Sequence, residues 1–206
     1  MKREEKNQQS RQKIIEGALK EFGEKSYSEA SLNAICSLNG ISKGIIYHYF
    51  KDKDELYLMC VKDCFDKLTE TLEKANLSFE EGVEKSLQKY FEVRMEFFNN
   101  NSIYLKLFYD TVTNPPIHLR EEIRNIKASI NQFNITYYEK LLDSLKLRKN
   151  ISKEEAMEYF LFIQDSFNYY FHKNIQDNDL MELVKEHEAK IRRILNVMLY
   201  GIIREE

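Results

Sequence analysis

Apolar residues recur along this chain at the three-to-four-residue spacing of helices. From Arg11 to Phe22 the positions Ile14, Ile15, Ala18, Leu19 and Phe22 share one helical face, with Gly23 placed to end the helix. Ser31 then stands as N-cap before Leu32, Ile35 and Leu38, and Asn39-Gly40 closes that short helix with a residue suited to a left-handed turn. A second short helix is expected after Ser42, over Lys43 to Phe50. Asp52 and Glu55 form a capping box for a longer helix from about Lys53 to about Ala75. Ser78-Phe79-Glu80-Glu81 gives a second box, followed by Val83, Leu87, Tyr90, Phe91, Arg94 and Phe97 at helical spacing. Asn99 to Ser102 breaks the pattern, Ile103 to Val112 resumes it, and Asn114-Pro115-Pro116 stops it. A long helix is predicted from Leu119 to Leu145 on Ile123, Ile126, Ile130, Phe133, Tyr137 and Leu141. Another opens at the Ser152–Glu155 box with Met157, Phe160, Leu161, Gln164, Phe167 and Phe171. The last opens at Asp179 and carries Leu183, Ile191, Ile194, Leu195, Met198, Leu199 and Ile202. The reading is all-α, with about nine helices.

Composition narrows this further. Six Gly and two Pro in 206 residues leave little room for turn-rich β architecture. No apolar run approaches membrane-spanning length, and Met1-Lys2-Arg3-Glu4-Glu5 lacks the apolar core of a signal peptide, so a cytoplasmic protein with no membrane partner is expected. Three Cys, at 36, 60 and 64, show no CxxC spacing and are read as thiols. The formal charge of −3 is unevenly spread: residues 1 to 53 carry a net +3 and the rest −6. A basic end on an acidic body can bring that end alone to a polyanion.

Ser31 to Phe50 has the length and turn chemistry of a helix-turn-helix. The bare pattern also fits a helix pair that only packs. The second helix adds information, because Ser42, Lys43, Gly44, Tyr47 and His48 place hydroxyls, an ammonium and an imidazole on one short element, with Lys53 beside it. These are groups that phosphates take up, Gly44 permits close backbone approach, and Ile45 and Tyr47 suit base edges or thymine methyls.

The run Gly40-Ile41-Ser42-Lys43-Gly44-Ile45-Ile46-Tyr47-His48-Tyr49-Phe50-Lys51-Asp52-Lys53-Asp54-Glu55-Leu56 resembles the recognition-helix signature of the TetR family of transcriptional regulators. Ile14-Ile15, Ala18, Phe22, Tyr27, Ser31 and Ile35 extend the likeness upstream, over about the first sixty residues. Asn33 stands where members often carry a longer polar or basic residue, and Cys36 where Ala is common. The resemblance implies a helix-turn-helix DNA-binding domain at residues 1–52. Residues 53–206 would form a helical regulatory domain that dimerises through its last two long helices and holds a small-molecule pocket. Carried over position by position, it implies DNA contacts from Ser42, Lys43, Gly44, Ile45, Tyr47, His48 and Lys53, with Ser31 and Asn33 added from the second helix. Tyr49 and Phe50 are read instead as the seam that closes the third helix on its neighbours.

In the regulatory part, 13 Tyr and 13 Phe without a Trp must be placed, most of them after residue 46. Packing accounts for many. Polar residues on aromatic faces single out Tyr90, Arg94, Phe108, Tyr137, Gln164 and Asn168 as candidates for an effector pocket, and an inward Arg94 would favour an anion. The expected function is a homodimeric repressor on a palindromic operator, released by a small apolar or aromatic ligand, without a cofactor. An enzyme is not expected, since no nucleophile stands at informative spacing from a base and no phosphate-cradling Gly loop occurs. One alternative is a helical regulator or interaction protein controlled by thiol or metal chemistry, with Cys60 and Cys64 at i, i+4 as its ligands.

Overall fold

The computed structural model describes residues 3–173 and 180–203. Among them are ten α-helices, a single 3-10 turn and one isolated bridge between Leu147 and Ile203. The chain divides into two compact units: Met1–Asp66 with Asn101–Lys127, and Lys67–Asn100 with Ala128–Glu206.

The first unit holds α1 (Arg3–Glu24), α2 (Leu32–Asn39), α3 (Lys43–Tyr49), the first part of α4 (Lys53–Lys74), α6 (Ile103–Thr113), the 3-10 turn Ile117–Leu119 and α7 (Arg120–Ile126). The apolar face foreseen for α1 is buried, with Ile14, Ala18 and Phe22 joined by Ile35, Ile46, Phe50, Leu56 and Tyr57. α1 packs on α2 and α6, and α2 on α3. Local chemistry sets the ends. The Ser31 hydroxyl accepts the Ala34 amide at 3.1 Å, and Gly40 takes the left-handed conformation with φ 61° that closes α2. The Asp52 carboxylate accepts the Glu55 amide at 2.9 Å, while the Glu55 carboxylate accepts the Lys51 amide. Glu21, a buried carboxylate, accepts the Ser31 amide at 3.0 Å and the Lys25 ammonium, which fastens α1 to the start of α2.

Gly23 does not end α1, which continues to Glu24. Its role is clearance: a Cβ there would lie 2.6 Å from the Ile103 carbonyl oxygen, so only glycine lets α6 approach this closely.

The second unit contains the remainder of α4, α5 (Val83–Asn100), α8 (Ala128–Asp143), α9 (Lys153–Lys173) and α10 (Leu180–Ile202). α10 packs on α5 and α9, and α8 on α9. Ser152 and Glu155 make the reciprocal capping box, with bonds of 3.1 and 3.0 Å. Ser78 does not cap a helix in the same way. Its hydroxyl accepts the Glu80 amide, and α5 begins only at Val83, after Gly82 turns the chain with φ 96°. The helix expected over Leu119–Leu145 is two helices, because the backbone leaves the helical path at Lys127 (ψ −2°), where the chain passes from the first unit to the second. Asp179, expected to open the last helix, lies outside the described residues.

Candidate nucleic-acid interface and buried polar core

α3 is short enough that each residue has a fixed task. Ile46 is fully buried and Phe50 nearly so, which anchors the helix, while Ser42, Lys43, Gly44, Ile45, Tyr47 and His48 all face outward. Ile45 and Tyr47 are 40% and 53% exposed, an apolar presence that burial does not explain. Ser42 occupies the N-cap position without a side-chain cap bond, so its hydroxyl is not consumed by the helix. A Cβ at Gly44 would meet only the Ser42 hydroxyl at 3.8 Å, so this side of the helix is open. Ser31 and Asn33 are exposed on α2, Ser31 already serving as cap.

Lys53 is set differently. Its ammonium lies 4.4 Å from the Tyr27 ring centroid, and burial lowers its pKa. The Tyr27 hydroxyl donates to Asp54, and His118 Nε2 lies 3.3 Å from the same carboxylate. Two further residues hold α3 in place. The Tyr49 hydroxyl donates to Asn7 Oδ1 at 3.0 Å, and the Arg11 guanidinium lies 5.3 Å from the Phe50 ring centroid. Leu38, 56% exposed at the end of α2, was not singled out by sequence pattern because it matches the apolar period.

In the second unit the structure brings together five of the six pocket candidates. Tyr90, Arg94 and Tyr137 are buried. The Tyr90 hydroxyl accepts from Arg94 Nη1 at 3.0 Å and donates to Asn134 Oδ1 at 2.8 Å. Tyr137 stacks on Tyr90 with centroids 5.0 Å apart, and its hydroxyl is 3.0 Å from that of Ser86. The Tyr138 hydroxyl donates to Gln164 Oε1 at 3.4 Å, and Asn168 Oδ1 lies 2.8 Å from His187 Nε2. Phe108 belongs to the first unit, buried against Phe65 at 5.5 Å.

Sequence reading missed the group at the centre of this network. Glu188, 3% exposed on α10, accepts Arg94 Nη2 at 3.0 Å, and His187 Nδ1 lies 3.3 Å from the same oxygen. Burial pushes the Glu188 carboxyl up, but Arg94 and His187 overcome it and hold the group below its ordinary value. Arg94 is thus neutralised within the protein, and the expectation that it draws an anion loses its basis. Nothing in the sequence marks a partner 94 positions away. Asn134 and Ser86 were also missed, although Asn134 falls on the face of Ile130, Tyr137 and Leu141.

The two cysteines of α4 are fully buried, and burial raises the Cys60 pKa, which suppresses the thiolate that redox or metal chemistry needs. Among the described residues no group of three His, Cys, Asp or Glu side chains could hold a metal ion, and no helix is long and apolar enough to cross a membrane.

A sequence profile described as "Bacterial regulatory proteins, tetR family" matches residues 14–60. The uncharacterized HTH-type transcriptional regulator YhgD of Bacillus subtilis (strain 168) is 28% identical over 121 residues, 57% of this chain and 61% of that protein. The negative transcriptional regulator IcaR of the biofilm operon icaADBC in Staphylococcus aureus is 24% identical over 187 residues, 91% of this chain and 97% of IcaR. Among solved structures, the regulator FadR from Bacillus subtilis, in complex with stearoyl-CoA, aligns with a TM-score of 0.64 at 17% identity, over 89% of this chain and 96% of FadR. A TetR family regulator from Chloroflexus aurantiacus J-10-FL gives 0.62 at 19% identity, over 96% and 95%. At these identities the structural likeness speaks for the fold.

Proposed function

We propose that this chain, a member of the TetR family of bacterial transcriptional regulators, is a homodimeric repressor that binds a palindromic operator and leaves it when a small apolar or aromatic ligand binds. Residues 1–52 read the DNA, and residues 53–206 bind the effector and dimerise. The observation that carries this reading is the outward face of α3, where Lys43 and the Ser42 hydroxyl flank the exposed Ile45, Tyr47 and His48. Lys43 supplies charge to phosphate, the hydroxyls and imidazole add hydrogen bonds, and Ile45 and Tyr47 meet base edges in the major groove.

A homodimer fits because α9 and α10 leave Phe162, Tyr169, Tyr170, Val197 and Tyr200 between 63% and 73% exposed, a surface a second copy covers. Two copies of α3 one helical turn of DNA apart read a palindrome. Repression is favoured by the similarity to IcaR, named a negative regulator, and effector control by that to FadR, crystallised with stearoyl-CoA. The core around Tyr90, Arg94, Tyr137, Gln164 and Asn168 is the effector site; ligand binding there must favour the DNA-free arrangement to release the operator.

Retention of sheared genomic DNA on the purified protein, followed by sequencing, tests the reading. Enrichment of a palindrome that Lys43→Glu abolishes is the expected result. Equal retention by both proteins, or none by the ligand-free wild type at low salt, defeats it.

A further inference from the structure

Lys53, at the start of α4 and close after α3, holds its charge in an uncommon way. The ammonium lies over the Tyr27 ring and makes no ion pair or hydrogen bond among the described residues. Two carboxylates, Asp54 and Glu21, act on it through space, and both are engaged elsewhere. Glu21 takes the Lys25 ammonium and the Ser31 amide. Asp54 Oδ1 takes the Tyr27 hydroxyl, and Oδ2 lies 3.3 Å from His118 Nε2. A carboxylate whose two oxygens are both occupied competes less for a neighbouring ammonium, and the charge of Lys53 is left for an outside anion.

His118 reaches this place from far along the chain. The only two prolines of the sequence, Pro115 and Pro116, follow α6 and lead into the 3-10 turn Ile117–Leu119. Leu119 is buried and donates its amide to the Pro116 carbonyl at 3.0 Å, which anchors the turn. The His118 ring is thereby set against Tyr27, with centroids 5.5 Å apart, and Tyr27 itself packs edge-on to the buried Tyr57 at 4.9 Å. Burial, and then the Asp54 carboxylate, push the Tyr27 pKa up, so its hydroxyl keeps its proton and donates it to Asp54. The Tyr27 oxygen lies 3.4 Å from His118 Nε2. Both groups that face Nε2 are therefore acceptors toward it, which puts the ring proton on that nitrogen.

We propose that His118 is a positioning residue for DNA binding: together with Tyr27 it occupies Asp54, and this keeps the Lys53 ammonium free to take a DNA phosphate. It rests on the reading of the chain as an operator-binding protein, and it adds to the DNA-binding machinery a turn that lies well outside residues 1–52. Without the His118 bond, Oδ2 is released to Lys53, and the ion pair they form must be broken before phosphate can be bound.

The test measures binding of the full-length protein to a duplex of about 40 base pairs that carries the palindrome enriched from genomic DNA, over a range of salt concentrations. Lys53→Gln should flatten the dependence of log affinity on log salt by about one per protomer. His118→Ala should weaken binding about fivefold at low salt and flatten the slope in the same direction, the weight of a new surface ion pair in each protomer of a dimer. Tyr27→Phe, which releases Oδ1 instead, should act in the same sense. His118→Gln keeps an N–H at similar reach and should bind as the wild type does. Added to Lys53→Gln, His118→Ala should have no further effect, whereas a turn that gave only structural support would weaken that double variant too. Thermal melts establish that each variant is folded. An equal loss from His118→Ala with and without Lys53, or an unchanged slope in Lys53→Gln, overturns the positioning role and leaves the operator reading intact. Failure of the wild type to hold the duplex overturns the operator reading, and the positioning role falls with it.

Discussion

Glu188 shows how one residue can change the meaning of another. Arg94, read from its sequence neighbours Phe91 and Phe97, looks like an anion receptor; its partner on α10 makes it half of a closed pair. Removing one member of a buried pair leaves the other charge uncompensated, at about 3–5 kcal/mol. Arg94→Leu is therefore expected to lower the stability of the protein by about that amount in urea unfolding, with the far-ultraviolet helical signal intact before the transition. The pH dependence has a definite sign. The folded Glu188 carboxyl lies below its ordinary value of 4.5, so the stability it contributes is fully present above that pH and is lost as the pH falls through the folded value. Acid titration of the wild type should show this loss, and Glu188→Gln should flatten it.

At the scale of the element, helix ends followed from residue identity wherever a side chain closed them locally. Ser31, Gly40, Asp52 and Ser152 all act as their types suggest. The failures share a physical cause. Gly23 carries the usual sign of a helix end but serves a close approach to Ile103, 80 positions later, and the Leu119–Leu145 period hides a break because both halves keep an apolar face while serving different cores. The outward side of α3, proposed to meet DNA, was legible because the helix is only seven residues long and Ser42, Lys43, Tyr47 and His48 all lie on its exposed face. The buried network was half legible: pattern placed Tyr90, Arg94 and Tyr137, while Glu188, on the far helix, could be joined to them only by tertiary structure. Two substitutions separate local from tertiary control. Ser31→Ala should cost about 1 kcal/mol through the lost cap, and Gly40→Ala about 1–2 kcal/mol through left-handed strain alone, since nothing lies within 4 Å of the added methyl. Chemical denaturation of each variant against the wild type measures both.

At the scale of the whole molecule, the charge divides into a basic stretch over residues 1–53 and an acidic remainder, which under the proposed function would bring the former to DNA and keep the latter away. The aromatic exterior of α9 and the exposed Val197 and Tyr200 of α10 make up the face proposed for the dimer contact. Val197→Asp should therefore shift the mass measured by light scattering from dimer to monomer. Operator affinity should fall with it, while circular dichroism of the separated chain remains helical. A dimer that withstands this charge would place the contact elsewhere.

The packing of Gly23 under Ile103 also sets how much of the chain must be synthesised before the first unit can close. The helices proposed to contact DNA are synthesised before α6, which begins at Ile103 and shares the cover of α1 with α2. Until that segment has been synthesised, part of the apolar side of α1 waits without its cover, and the nascent chain must hold that surface open across the whole of α5. The helix-turn-helix is consequently not a detachable cartridge. A fusion that borrows only the residues resembling it takes the part proposed to touch DNA and leaves behind α6, which completes its packing.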